Sequence, residues 1–136
     1  MANTKPIGVA YSDQDISGAD TVTSNATLGY TAAAQGTVTQ ATNKSTAVTL
    51  NKSAGQITMN AASLGATTSV SFTLNNSYLS SNDIVILNVG SGGTAGAYNA
   101  WVSGLGAGTV SITVRNITAG ALAEAIVLNF AIIHCL

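Results

Sequence analysis

The chain has 136 residues, a length that suits one domain with room for an additional arm. Only 7% of them are charged and the net charge is −1, where an ordinary soluble domain carries about 25% charged residues. The four cations, Lys5, Lys44, Lys52 and Arg115, are scattered, which excludes the clustered counterion-releasing surface of a nucleic-acid binder and the basic amphipathic helix of a membrane-surface protein.

Residues 1–36 read as an N-terminal arm. They hold the single proline, Pro6, and three of the five acidic residues, Asp13, Asp15 and Asp20. Ile7, Val9 and Tyr11 alternate, as in a short strand or extended segment. Ala32–Ala34 with Gln35 and Gly36 read as a small-residue linker, so the domain is expected over 37–136. Residues 1–10 lack the apolar core of a secretory signal, and the expectation is synthesis and folding in a cytoplasm.

From Thr37 the apolar residues recur with period two, the mark of half-buried strands. Val48 and Leu50 alternate with hydroxyl and small residues, as do Ile57 and Met59, then Val70, Phe72 and Leu74, then Val110, Ile112 and Val114. Branching at Cβ suits Val, Ile and Thr to a pleated surface. Two runs are apolar on both faces, Ile84–Val89 and Ala125–Ile133, and predict central strands covered on both sides. The second is too short to span a bilayer and is interrupted by Asn129. Turn signals lie at Lys52–Gly55, Ser80–Asp83, Gly90–Gly96 and Leu105–Gly108. Asn60–Leu64 and Thr118–Ala123 predict single helical turns, the first capped by Asn60. No segment carries sustained 3.6-residue periodicity, so neither crossover helices nor a parallel sheet are expected. The pattern predicts an all-β protein: an antiparallel β-sandwich, immunoglobulin-like or jelly-roll-like, preceded by the arm.

Side chains able to do chemistry are few. His134 is the single histidine and Cys135 the single cysteine, too few for the usual four zinc ligands and unable to form an internal disulfide. His134 follows a core strand, where it reads as structural. A hydrolytic triad would need a nucleophile and a carboxylate arranged around it. Asp13, Asp15 and Ser17 followed by Gly18 approximate a calcium loop, yet the position of the bidentate Glu falls on Ser24. Gly90–Gly96 lacks the lysine of a phosphate-binding loop and reads as an exposed contact loop. No catalytic residue, metal or cofactor is expected. Tyr98 and Trp101, three apart in a strand, point to opposite faces, so one is expected in the core and the other at the surface. Both are candidate partner contacts.

Several stretches resemble a small β-rich module of tailed-bacteriophage virion proteins. They are Gly36–Met59, Ser71–Ser77, Ser80–Val89, Gly92–Tyr98, Ile117–Gly120 and Leu128–Ile133, in that order, and the opening Pro6–Tyr11 is similar to the start of many phage fibre and decoration proteins. The resemblance implies a structural virion role: a capsid decoration (cement) protein that binds and stabilises the assembled shell, with a head- or tail-fibre module binding a host receptor or glycan as the alternative. It implies the major capsid protein or neighbouring virion proteins as partners, a capsid-surface location, and a homo-oligomer, commonly a trimer. No catalytic residues carry over. Lys5, Pro6, Ile7, Val9 and Tyr11 of the arm would then contact neighbouring subunits by adding a strand to them.

Overall fold

A computed structural model describes residues 20, 21 and 23–135. It contains eight strands: β1 (Gln35–Thr39), β2 (Val48–Thr49), β3 (Ala54–Thr58), β4 (Ser69–Asn75), β5 (Ile84–Ser91), β6 (Tyr98–Gly106), β7 (Thr109–Asn116) and β8 (Val127–Ile133). They form two four-stranded sheets, ordered β1-β3-β8-β5 and β2-β4-β7-β6, packed face to face as a sandwich.

The expected sandwich is present, but its sheets are mixed. β1 pairs with β3, and β2 with β4, in parallel, whereas β3, β5 and β8, and likewise β4, β6 and β7, pair antiparallel. The first four strands alternate between the sheets, and each crossing reverses the chain. Strands two apart in sequence therefore become parallel neighbours without a helical crossover.

The alternating positions meet between the layers. Ile57, Leu128, Phe130 and Ile132 of one sheet pack with Phe72, Leu74, Val110, Ile112 and Val114 of the other, and Met59, Leu64, Leu79 and Ile126 close the ends. Gly36 and Gly55 stand opposite each other in register on β1 and β3. A Cβ on Gly55 would meet the Gly36 carbonyl at 2.5 Å and Leu50 at 2.9 Å, so this pair of glycines lets Leu50 lie against the sheet. The β6–β7 hairpin turns on Ala107 and Gly108, where Gly108 takes φ 75°, a conformation open to glycine.

Three local expectations are corrected. The linker ends in structure: Ala32–Ala34 form a 3-10 turn, and Gln35 and Gly36 begin β1. The turns expected at Asn60–Leu64 and Thr118–Ala123 are irregular. The Asn60 Oδ1 accepts from the Ala62 amide at 2.8 Å, a local side-chain turn that competes with helix, and Leu64 bridges Leu122. β5 and β8 are not covered on both faces, with consequences described below.

Buried amides hold the connections. The Asn116 amide donates to the carbonyls of Leu64, Gly65 and Gly120 at 3.0, 3.0 and 2.8 Å, and its Oδ1 accepts from Thr118 N and Oγ1. Gln40 donates to Lys44 and Thr46 and accepts from Asn60 N. Asn76 does the same at the opposite end, donating to the Lys52 carbonyl and accepting from Tyr78 N. Irregular backbone that no sheet partner can satisfy is thereby paired from inside.

Candidate interaction surface

In β8 the even-numbered residues face the core. Leu128, Phe130 and Ile132 are buried, while Val127, Asn129, Ala131 and Ile133 face outward. β5 follows the same rule: Val85, Leu87 and Val89 turn inward, Ile84, Ile86 and Asn88 outward. The register sets Ile84 opposite Ile133 and Ile86 opposite Ala131, and Ala131 opposite Ala54 of β3. Ile84, Ile86 and Ile133 are 54, 53 and 50% exposed. Side chains that a two-sided apolar strand would bury thus form an open apolar patch.

β5 is also the last strand of its sheet. The Ile132 amide bonds to the Ser53 carbonyl, on the β3 side. In an antiparallel ladder a residue's N–H and C=O point the same way, so odd residues of β8 and even residues of β5 bond each other. The N–H and C=O groups of Val85, Leu87 and Val89 therefore face the open edge. Among the described residues no strand pairs there. Further along the same sheet, Gln56 donates to Asn129 Oδ1 at 3.1 Å, so the apolar patch grades into an amide-lined depression between β1, β3 and β8.

The outer face of the second sheet is a hydroxyl surface. Thr113 Oγ1 lies 2.7 Å from Ser71 Oγ and donates to Ser103 Oγ at 2.8 Å. Trp101, opposite Thr113 in register, is 41% exposed. Tyr98 points the other way, as the spacing required, and is 7% exposed. It is a core residue, so its candidacy as a contact is corrected and Trp101 remains. Lys5, Pro6, Ile7, Val9 and Tyr11 lie outside the described residues, as do the first three ligands of the calcium-like loop.

The remaining charged groups are drawn inward. Lys44 is 3% exposed, and its ammonium donates to the Asn60 and Glu124 carbonyls at 2.6 and 2.5 Å. Burial lowers its pKa, and the Glu124 carboxylate nearby opposes that. Glu124 Oε1 accepts from Thr94 Oγ1 and N at 2.7 and 3.0 Å, and these bonds hold its pKa below the usual range. The Tyr98 hydroxyl lies buried beside Glu124 without a contact of hydrogen-bonding geometry. Burial first, then that carboxylate, pushes its pKa up to about 12. The loop Gly90–Gly96, expected as an exposed contact loop, is exposed but fastened at Thr94 to this network.

At the opposite end Asp83, 6% exposed, accepts from Ser80 N and Oγ at 2.9 and 2.8 Å and from Cys135 N at 3.2 Å, and lies 3.0 Å from His134 Nδ1. The serine, histidine and aspartate of a hydrolytic triad are present in one cluster, but Ser80 and His134 both bond the carboxylate. The hydroxyl is held by Asp83 instead of being activated by the imidazole. This arrangement caps the turn Ser80–Asp83 and ties it to the end of β8.

Sequence reasoning missed the patch of Ile84, Ile86 and Ile133. Its signal was present in the two-sided apolar pattern of Ile84–Val89, which does not by itself tell an interior strand from an edge strand with an exposed apolar face. The fold and this surface define a class: an all-β sandwich with a nearly uncharged exterior and one open apolar edge. No family model, curated protein or solved structure matches the chain.

Proposed function

We propose that this protein is a structural component of a phage virion, a capsid decoration (cement) protein that binds the assembled shell and stabilises it, and that it is not an enzyme. The observation that carries the reading is the distribution of charge and apolar surface. Of the charged residues described, Lys44 and Asp83 are buried and Lys52 and Glu124 are half-buried, which leaves Asp20 and Arg115 exposed. A sandwich with so little surface charge and three isoleucines half-exposed on one face is suited to being covered by neighbours. The resemblance of the sequence stretches to phage virion modules suggests the kind of neighbour. A protein that binds the closed shell and not loose capsid subunits stabilises the shell by mass action.

Mass spectrometry and cryo-electron microscopy of purified particles test this through copy number and position. Hundreds of copies on the capsid surface are expected. A handful at the tail would move the protein to a fibre, and absence from particles would remove the virion reading. The fibre reading has its own supporting feature, the exposed Trp101 beside the hydroxyl ladder of Ser71, Ser103 and Thr113, since an aromatic ring next to hydroxyl groups suits a sugar. It predicts glycan-array signals that Trp101→Ala abolishes.

A further inference from the structure

We propose that β5 is the seam of a homodimer, pairing antiparallel with β5 of a second copy about a two-fold axis near Ile86 and Leu87. This deepens the assembly reading above by naming a partner, and rests on it in that respect. Three observations lead there. Among the described residues no strand pairs with the backbone of Val85, Leu87 and Val89 at this edge, where the Val89 carbonyl has only a long contact from Asn88 Nδ2 at 3.5 Å. Natural sandwiches blunt such an edge with charge, proline or a covering segment. The run Ile84–Ser91 has no charge and no proline, and its one irregularity, between Val89 and Ser91, lies beyond these three residues. The outer side chains beside that edge are Ile84 and Ile86, with Ile133 next to them on β8.

A second copy fits because antiparallel pairing of a strand with itself is isologous: each copy presents the same donors, acceptors and isoleucines to the other. It needs no charge complementarity, and the chain has none to offer there. Pairing would join the two sheets into one of eight strands, with the isoleucines of both copies forming a continuous apolar stripe across the seam. β6, the other long edge, is a poorer seam because its register shifts in mid-strand, between Val102 and Gly104. The bulged strand bends and loses a regular ladder there.

Sedimentation equilibrium of the full chain, with amide hydrogen exchange, tests the seam. The wild type is expected to be dimeric at micromolar concentration, with the Leu87 and Val89 amides protected. The double variant Ile84→Lys/Ile86→Lys places cations on outward positions and should keep the fold. Its dimer should be weaker by roughly a hundredfold or more, about tenfold for each isoleucine removed from the contact, and the two amides should exchange fast. Ile117→Lys, an equally exposed isoleucine on a loop (46%), should leave the dimer intact. A monomeric wild type overturns the seam, including a monomer whose Leu87 amide is protected by another segment of its own chain. So does a trimer with fast-exchanging β5 amides, or an association that survives the double lysine variant. A monomer that still decorates particles would refute the seam and leave the virion reading standing. A dimer of the expected kind that is absent from particles would do the reverse.

Discussion

Asn116 ties the end of β7 to two connections. It is fully buried, and its amide donates to carbonyls of both, the one carrying Leu64 and Gly65 and the one carrying Gly120. Asn116→Ala would strand the Thr118 amide and take one donor from each carbonyl, leaving Leu64 with the Leu122 amide, Gly65 with Thr68 and Gly120 with the Thr118 hydroxyl. A buried group left unpaired costs about 1–3 kcal/mol. Each carbonyl loses a donor at smaller cost because it keeps another, and water can recover part of the loss at the partly buried sites. The expected destabilisation is therefore about 3 kcal/mol, a large share of the roughly 5–15 kcal/mol that holds a domain folded. Urea denaturation followed by fluorescence of the single tryptophan, Trp101, reads this directly. The midpoint should fall while the slope, set by the surface exposed on unfolding, stays constant. Asn88→Ala is the control. Its exposed amide reaches only the neighbouring Val89 carbonyl at 3.5 Å, and its removal should stay within about 0.5 kcal/mol. A loss below about 1 kcal/mol at Asn116, or equal losses at both sites, would refute the view that internal amides hold these connections.

Three further outcomes are expected. The Ser80 amide, followed by the Ser80 hydroxyl and the groups at Cys135 and His134, holds Asp83 down to about 2 from its ordinary 3.8. The native state thus binds fewer protons there than the unfolded chain. The stability this contributes is complete above about pH 4 and is lost as the pH falls towards 2, so the difference in urea midpoint between wild type and Asp83→Asn should shrink across that window. Tyr98 shifts the opposite way. Its contribution is present below pH 10 and lost as the pH rises through about 12. Ultraviolet titration should accordingly find one tyrosine that ionises near pH 12 or together with unfolding, and Tyr98→Phe should remove that step. Finally, self-association through an uncharged edge should not weaken when sodium chloride is raised, because salt screens charges and few are present. A steep salt dependence in sedimentation would point to a different surface.

The strands were legible wherever one face is apolar and the other carries hydroxyls. Val70, Phe72 and Leu74 with Val110, Ile112 and Val114 define β4 and β7, and both lie with those residues inward. Period two says which side chains share a face, but not which strand lies alongside. That is why the parallel pairs β1–β3 and β2–β4 were missed: they follow from the chain passing from sheet to sheet, a tertiary fact. Tyr98 and Trp101 divided between core and surface as their spacing demands, and the bulk of the Tyr98 ring in the core decides which is which. Asn60 announced a side-chain-to-backbone bond correctly, but in an Asx-type turn and not a helix cap. The two-sided apolar run Ile84–Val89 predicts an interior strand and is instead the edge strand β5, with Ile84 and Ile86 half-exposed, because an apolar pattern does not say which strand lies alongside or what covers the outer face.

The placement of charge bears on the same point. Lys44 and Asp83 occupy positions where a charge is costly unless bonded, and each is bonded to loop backbone at one end of the sandwich. A chain with ten Lys, Arg, Asp, Glu and His residues in all thus spends some of its few charges on fixing connections, and leaves its broad outer faces to threonine, serine, asparagine and isoleucine. Were the protein to work alone in water, moving those charges outward would improve solubility and help guard the β5 edge. Keeping them inside makes sense when the outer faces are themselves contact surfaces. An ionic group there would have to be desolvated at each contact, whereas isoleucines are buried favourably and hydroxyls at modest cost once hydrogen-bonded across the contact. Rigid connections, neutral faces and an open β5 edge are therefore mutually consistent with the proposal that a neighbour covers the surface.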